Sequence, residues 1–170
     1  MEFDELIRKR ESVRAYDPTR PVPRDVLERV IQAGVIAPTA ANRQPFKFLV
    51  VSSPAELAKI RPCYNGGWFS DAPHVLAVVG LVDKAWTRWD GYNALETDCT
   101  IAMDHMILAA SNEGLGTCWI AAFDEKKLRQ GLGLADNEKV FAVTPLGYPP
   151  AGYKPQQKVR RSIEETVSFL

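Results

Sequence analysis

Three polar side chains near the start of the chain alternate with other residues: Arg10, Ser12 and Arg14. On an extended backbone, alternate side chains project to the same side, so two guanidinium groups would flank the serine hydroxyl. Arginine can bind the oxygens of a phosphate or a carboxylate through two parallel hydrogen bonds. The spacing therefore predicts an anion-binding site, and a solvated charged turn is the competing interpretation.

A second basic cluster lies towards the other end of the chain and contains Lys154, Lys158, Arg160 and Arg161. Such a cluster is usually a solvated tail. A phosphate-binding role is favoured here because the sequence has neither a Walker A motif nor a G-x-G-x-x-G motif. These are the glycine-rich loops that bind phosphates through backbone N–H groups. If this protein binds a phosphate, arginine and lysine side chains must hold it.

Residues that often carry chemistry elsewhere are predicted to be structural in this chain. His74 opens an apolar run and His105 lies within another, where a hydrogen-bonded structural histidine is the usual outcome. Cys99 and Cys118 are predicted to be buried packing residues. The sequence contains neither a G-x-S-x-G nor an H-E-x-x-H motif, so it offers no serine nucleophile elbow and no zinc-protease site.

The hydrophobic pattern surrounds these segments with interspersed helices and strands, which indicates an α/β or α+β fold. Helices are predicted over residues 3–9, 23–36, 95–112 and 124–131 and after a capping box at 53–56, and strands over 46–51, 74–82, 117–122 and 140–146. The nearly continuous apolar run 74–82 predicts a central strand that is buried on both faces. The helix predicted over 95–112 is apolar on nearly all sides from 101 to 110, which predicts burial in a core or a subunit interface.

Length, charge and cysteine content narrow the class of protein. The 170 residues suit one domain, with 46% hydrophobic and 25% charged residues as in an average globular protein. The 21 basic residues balance 21 acidic ones, which argues against nucleic-acid binding. Three cysteines without a C-x-x-C pair argue against a disulfide framework or a zinc site. The acidic N-terminus and the short apolar runs predict a cytoplasmic protein with no membrane segment.

Four segments taken together resemble the FMN-dependent nitroreductase family. They are Arg10-x-Ser12-x-Arg14-x-Tyr16, Ala37-Pro38-Thr39-Ala40-x-Asn42-x-Gln44-Pro45-Phe46, Gly114-Leu115-Gly116-Thr117-Cys118-Trp119-Ile120 and Lys158-x-Arg160. Their order and spacing fit the family from residue 3 to the end of the chain, and the first two segments together are the specific ones.

The resemblance implies an α+β fold: one nitroreductase-like, FMN-binding domain over residues 1–170, with a mixed central sheet flanked by helices and a long buried helix at a homodimer interface. It implies two FMN sites between the subunits. The cofactor-binding residues that it implies include Arg10, Ser12, Arg14 and Lys158 of one subunit and Thr39, Ala40 and Asn42 of the partner. It also implies Pro38, Asn65 and Arg160 as cofactor-binding residues, and the backbone segment Ile120, Ala121 and Ala122 beside the flavin N5 and O4.

Two positions depart from the common family pattern. Ala121 and Ala122 stand where a common family form has Glu-Gly, so any role of that glutamate side chain is lost. Ala40 takes the second place of a pair of hydroxyl residues, so only Thr39 keeps an oxygen there. We expect these changes to alter the shape of the pocket and the choice of substrate.

The activity that the resemblance implies is that of an FMN-dependent NAD(P)H oxidoreductase. Hydride would pass by a ping-pong sequence from NADH or NADPH through bound FMN to a small flat acceptor, such as a nitroaromatic or a quinone, with no catalytic side chain and no metal. Alternative hypotheses are a flavin sensor or store without turnover, a related flavin reaction such as reductive dehalogenation, and an anion-binding module that does not bind flavin. The aromatic segment Trp86–Asn93 is either a lid over the flavin or packing in the dimer interface.

Overall fold

The computed structural model describes all 170 residues as helices packed on both faces of a four-stranded sheet. The α-helices are α1 (Phe3–Lys9), α2 (Arg24–Val35), α3 (Pro54–Ile60), α4 (Gly67–Asp71), α5 (Leu95–Asn112) and α6 (Glu125–Leu132). The strands are β1 (Phe46–Val51), β2 (His74–Leu81), β3 (Gly116–Thr117) and β4 (Glu138–Gly147), and short 3-10 turns cover Ala40–Asn42, Arg61–Cys63 and Val82–Lys84. The α+β class expected from the sequence is confirmed.

The sheet has the strand order β1-β2-β4-β3, and every neighbouring pair of strands is antiparallel. Its parallel component is a single bridge between Ser12 and Thr117, outside the named strands. This bridge attaches the N-terminal segment to the short edge strand β3. The mixed character implied by the resemblance therefore resides in one residue pair.

Strand β2 is the centre of the core, as the apolar run 74–82 predicts. Leu76 and Val78 belong to a cluster with buried residues of α2 and α5 on one face of the sheet. Val75 and Val79 belong to a second cluster with buried residues of α3 and α6 on the other face. A strand buried on both faces cannot alternate between apolar and polar residues, which explains the continuous apolar run.

Local signals fix several ends of the helices. The Ser53 side chain accepts a hydrogen bond from the backbone N–H of Glu56, so the predicted capping box starts α3. Asp124 caps α6 in the same way, through the N–H of Lys127. Gly114 has a φ of +76° just after α5, a left-handed conformation that glycine adopts without steric cost.

The predicted strand over 117–122 is wrong in extent. Only Gly116 and Thr117 form β3, because the backbone N–H of Cys118 donates to the side-chain hydroxyl of Thr144 instead of to a backbone carbonyl. The backbone pairing returns once, where Ile120 and Val143 exchange hydrogen bonds at 3.0 Å. The short helix α4 was not predicted, because its five residues are too few to show a helical period.

Helix α5 buries most of its apolar residues within its own chain. Ala102, Met103, Met106, Ile107 and Ala110 are buried against α2 and the sheet. A remaining strip of α5, with His105, Leu108 and Ala109, borders an open groove of about 450 Å³ together with Met1, Phe3, Leu6, Ala33 and Asn112. No helix combines the length and the apolar character that crossing a membrane requires.

Candidate functional site

The segment that carries Arg10, Ser12 and Arg14 is extended beyond the end of α1, as the anion-site hypothesis requires. The backbone N–H of Val13 donates to the carbonyl of Thr117 at 2.8 Å, which fixes the segment beside β3. Val13 itself is buried. Val13 thus points into the core, whereas Arg10 and Ser12 are half-buried and Arg14 is exposed.

Gly116 is needed for this close approach of two backbone segments. A Cβ atom at position 116 would lie 2.7 Å from Cγ1 and 2.8 Å from Cβ of Val13. Contacts this short do not occur between carbon atoms without displacement of one of them. The glycine motif around 114–116 thus has two separate causes: a left-handed turn at Gly114 and lack of space at Gly116.

The two basic clusters of the sequence meet at one open cavity of about 190 Å³. It is lined by Arg10, Glu11, Ser12, Arg14, Gln156, Gln157, Lys158, Val159 and Arg160. We call this the cationic cavity, because four of its side chains are positively charged and one is acidic. The cavity joins residues that are almost 150 positions apart. It brings Arg10, Ser12 and Arg14 together with Lys158 and Arg160 of the second basic cluster, whereas Lys154 and Arg161 do not line it.

Lys158 shows the mutual repulsion of these cations. Partial burial lowers the pKa of its ammonium group, and the positive charge of Arg10 lowers it further. The charge of Arg160 acts in the same direction, whereas Glu11 acts in the opposite one. The ammonium also donates to the backbone carbonyl of Arg8. An anion in the cavity would favour the charged form of Lys158 and relieve this repulsion.

The three cysteines are free thiols that are buried in the core, as predicted for Cys99 and Cys118. Burial raises the pKa of Cys99 to about 12 and that of Cys63 to about 11. Burial also raises the pKa of Cys118, although the nearby charge of Arg14 opposes this shift. Thiols with raised pKa values are poor nucleophiles at neutral pH. His74 Nδ1 is hydrogen-bonded to Ser52 Oγ at 2.7 Å, as expected of a structural histidine.

Two other site residues from the sequence border a second, larger cavity. Asn65 and Ala122 lie there with Pro62, Cys63, Tyr64, Gly66, Asp124 and Lys127, around a volume of about 480 Å³. Ala121 is exposed and Ile120 is buried, and neither lines this cavity or the cationic one. No acidic side chain occupies positions 121 and 122, so the only carboxylate at this cavity is that of Asp124, which pairs with Lys127 at 3.2 Å.

The loop 37–45 lines neither cavity of its own chain. Ala41, Asn42 and Gln44 have φ values of +50°, +52° and +48°, a left-handed conformation that is uncommon outside glycine. Hydrogen bonds hold this conformation, among them one from the Gln44 N–H to the Thr39 hydroxyl at 3.0 Å. Pro38 and Asn42 are exposed, and Thr39 and Ala40 are half-buried. The structure therefore does not bring these four residues to Arg10 within one subunit.

The aromatic segment Trp86–Asn93 forms a small hairpin of its own. Thr87 and Asn93 pair as an antiparallel bridge, and the Arg88 guanidinium lies 5.0 Å from the centre of the Tyr92 ring. Trp89, at the tip, is 94% exposed. An indole in this position is free to cover a ligand or to enter an interface, so both hypotheses for the segment stay open.

Comparison with known proteins identifies the family of this chain. The nitroreductase family model matches residues 7–65 and 60–148. The chain belongs to the nitroreductase family. A relative from Archaeoglobus fulgidus, provisionally named an NADH dehydrogenase/NAD(P)H nitroreductase, is 31% identical over 148 residues, which cover 85% of this chain and 83% of that protein.

Solved structures of nitroreductases share the fold over almost the whole chain. A nitroreductase family protein from Clostridium difficile 630 is 34% identical and superposes with a TM-score of 0.91, covering 99% of this chain and 98% of its own. A nitroreductase from Bacteroides fragilis NCTC 9343, which holds FMN, is 24% identical with a TM-score of 0.78 over 100% of this chain and 99% of its own. The family expected from the sequence is confirmed, and with it the oxidoreductase class and FMN as the cofactor on which the family depends.

Proposed function

We propose that this nitroreductase uses NADH or NADPH to reduce a small flat acceptor, such as a nitroaromatic or a quinone, and that it holds FMN with the residues of the cationic cavity. Bound FMN would supply the redox chemistry by taking a hydride from the nicotinamide and passing reducing equivalents to the acceptor. The observation that carries the proposal is the convergence of Arg10, Ser12, Arg14, Lys158 and Arg160 on one cavity.

The charge of the cavity fits the phosphate end of FMN. A phosphate monoester carries a charge of about −1.5 to −2 at neutral pH and three acceptor oxygens. Arg10, Lys158 and Arg160 would bind those oxygens by charge-assisted hydrogen bonds, which are stronger than neutral ones. Burial lowers the pKa of Lys158, and the charge of Arg10 lowers it further; a bound phosphate would act in the opposite direction and favour the charged ammonium.

The remaining residues of the segment would orient the flavin. The Ser12 hydroxyl can donate or accept a hydrogen bond, and the exposed Arg14 guanidinium offers several donors in one plane. Arg14 would bind the pyrimidine edge, where the carbonyl oxygens of a flavin lie. Asn65, exposed at the second cavity, would hydrogen-bond the ring system with its amide. The side chains of Ala121 and Ala122 cannot exchange a proton, so their contribution would be backbone contact alone.

A second copy of the chain would complete each site. Pro38, Thr39, Ala40 and Asn42 do not line the cationic cavity of their own chain, so in this proposal they reach the cofactor of the partner. The groove beside α5 offers an apolar surface for that partner. Phe3, which lines the groove, is 67% exposed, and Ile36, directly after α2, is 69% exposed. Exposed apolar surface of this kind favours association of subunits.

Absorbance spectroscopy tests the proposal. Protein purified with FMN should be yellow, and NADH or NADPH should bleach the flavin absorbance under anaerobic conditions before a nitroaromatic or a quinone restores it. Protein that stays colourless after incubation with FMN would refute the cofactor assignment. Flavin that binds but is not bleached by either nucleotide would instead identify a binding protein without turnover.

A further inference from the structure

Glu11 has the wrong charge for its place beside the cationic cavity. It is the one acidic residue among the nine that line it, and it lies between Arg10 and Ser12 in the chain. A carboxylate next to a bound anion repels it, so its charge alone would weaken the site. A favourable contact elsewhere must therefore account for this residue if it serves the site.

Glu11 lines the cationic cavity together with Ser12, and its side chain also borders a second space. Glu11 and Val13 both line an adjoining cavity of about 180 Å³, which Tyr153 and Pro155 border as well. Burial raises the pKa of Tyr153, and the negative charge of Glu11 raises it further, which indicates that the carboxylate is close to the phenol. The Glu11 side chain thus extends behind the cationic cavity, towards residues 153–156.

Glu11 Oε2 accepts a hydrogen bond from the backbone N–H of Gln156 at 2.8 Å. Residues 154–160 contain no helix or strand of their own. Two hydrogen bonds join them to the rest of the protein: the bond to Glu11 and the bond from Lys158 Nζ to the carbonyl of Arg8. The backbone of this segment therefore makes one hydrogen bond to the rest of the protein, and its acceptor is the Glu11 carboxylate.

We propose that Glu11 is a positioning residue of the cofactor site. By accepting the Gln156 N–H it holds residues 154–160 against the segment 10–14, and so keeps Lys158 and Arg160 on the wall of the cationic cavity. The identity of the bound anion as FMN rests on the proposed function, whereas the attachment of the two segments does not.

The charge of Glu11 and its attachment of Gln156 predict opposite effects on anion binding. If only the charge mattered, removing the carboxylate would tighten the binding of FMN. If the attachment dominates, Glu11→Ala weakens FMN binding by about tenfold, because Lys158 and Arg160 lose their fixed place. Glu11→Gln keeps an acceptor oxygen and removes the charge, so its affinity should stay within about twofold of the wild type or increase.

Titration of apoprotein with FMN, followed by flavin fluorescence, measures these affinities. Glu5→Ala is the matched control, because Glu5 is an exposed acidic residue of α1 that lines no part of the cavity. Inorganic phosphate as a competitor should show the same order of affinities if the phosphate end is what the segment holds. Wild-type or tighter FMN binding by Glu11→Ala would overturn the proposal.

Hydrogen exchange of the apoprotein tests the attachment without any cofactor. Residues 153–160 should exchange faster in Glu11→Ala than in the wild type, and Glu11→Gln and Glu5→Ala should resemble the wild type. Unchanged exchange in Glu11→Ala would refute the attachment. Faster exchange, combined with a wild type that binds phosphate but no FMN, would support the positioning role and reject the proposed cofactor.

Discussion

The carboxylate of Asp98, in the first turn of α5, holds the backbone of the loop 37–45 at Ala40. Asp98 Oδ1 accepts a hydrogen bond from the Ala40 N–H at 2.9 Å, and the side chain is only 1% exposed. Its second oxygen, Oδ2, is buried without a partner. Burying a carboxylate is costly, and the hydrogen bond from Ala40 offsets part of that cost. An apolar residue at position 98 would avoid the cost but would leave the Ala40 N–H without this acceptor.

Two replacements of Asp98 can distinguish the contribution of its hydrogen bond to stability from the contribution of its charge. Asp98→Ala leaves the Ala40 N–H without its acceptor and should lower the free energy of unfolding by about 1–3 kcal/mol. Asp98→Asn retains an acceptor oxygen and should lose clearly less. Urea denaturation of both variants measures the difference. Equal losses would show that the stability of the loop does not depend on this hydrogen bond.

The sequence predicts the elements of this fold better than their pairing. The helix over 3–9 and the strand over 46–51 have the predicted limits, because the spacing of apolar residues is a local signal. The strand over 117–122 is shorter than its apolar residues predict. The backbone N–H of Cys118 bonds to the Thr144 side chain, and this ends the regular pairing. Such a side-chain acceptor depends on the partner strand, which the local pattern does not contain.

The candidate site could be predicted in part for the same reason. Residue types and spacing mark Arg10, Ser12 and Arg14, and the end of the chain supplies Lys158 and Arg160, but only the fold shows that the two sets meet. Asp98 was missed because a single aspartate in the first turn of a helix is ordinarily a solvated residue there. Glu11 was missed because its role depends on the backbone of Gln156, far away in the chain.

Removal of either arginine of the N-terminal segment should weaken the binding of FMN. Loss of one charge-assisted contact in Arg10→Ala or Arg14→Ala should cost about 1.5–3 kcal/mol, or about tenfold to a hundredfold in affinity. Arg24→Ala is the control, because Arg24 is an exposed residue of α2 that pairs only with Glu28. Fluorescence titration with FMN measures the affinities, and wild-type values for both variants would exclude the role assigned to the segment.

Gly116 should tolerate no side chain while Val13 is present. Gly116→Ala places a Cβ atom 2.7 Å from the Val13 side chain and should cost about 1–3 kcal/mol of stability. Val13→Ala removes the Cγ1 contact but keeps the Cβ contact at 2.8 Å, so it relieves only part of the clash, whereas Val13→Gly removes both. The double variant of Val13→Gly with Gly116→Ala should therefore lose less than the sum of the single losses. Gly67→Ala, whose Cβ would meet nothing within 4 Å, should leave stability almost unchanged. Strict additivity in thermal or urea unfolding would contradict a clash between these two residues.

FMN affinity should depend on pH through Lys158. Burial and the charge of Arg10 lower the pKa of its ammonium, so the group begins to lose its proton below the usual lysine value of about 10.4. The charged form binds the phosphate, hence the affinity is greatest below this lowered pKa and falls as the pH rises through it. Lys158→Arg keeps its charge in the same range and should flatten the profile. Identical profiles between pH 7 and 10 would show that another group is responsible.

The loop 37–45 lines neither cavity of its own chain, so a site shared between two chains can be tested by combining variants. One variant carries damage at Arg10 and Lys158, and another carries damage at Thr39 and Asn42. Each homodimer has two defective sites. In a mixed dimer of two-fold symmetry, one site collects all four substitutions and the other collects none.

Mixing the two inactive variants should therefore restore activity without any change of sequence. Random association after joint refolding gives about half mixed dimers, each with one intact site of two, so activity should return to about one quarter of the wild-type value. NADH-dependent reduction of a quinone measures the recovery, and each variant refolded alone is the control. If each site lay within one chain, every site would stay damaged and mixing would restore nothing, because no chain in the mixture carries both intact sets of residues.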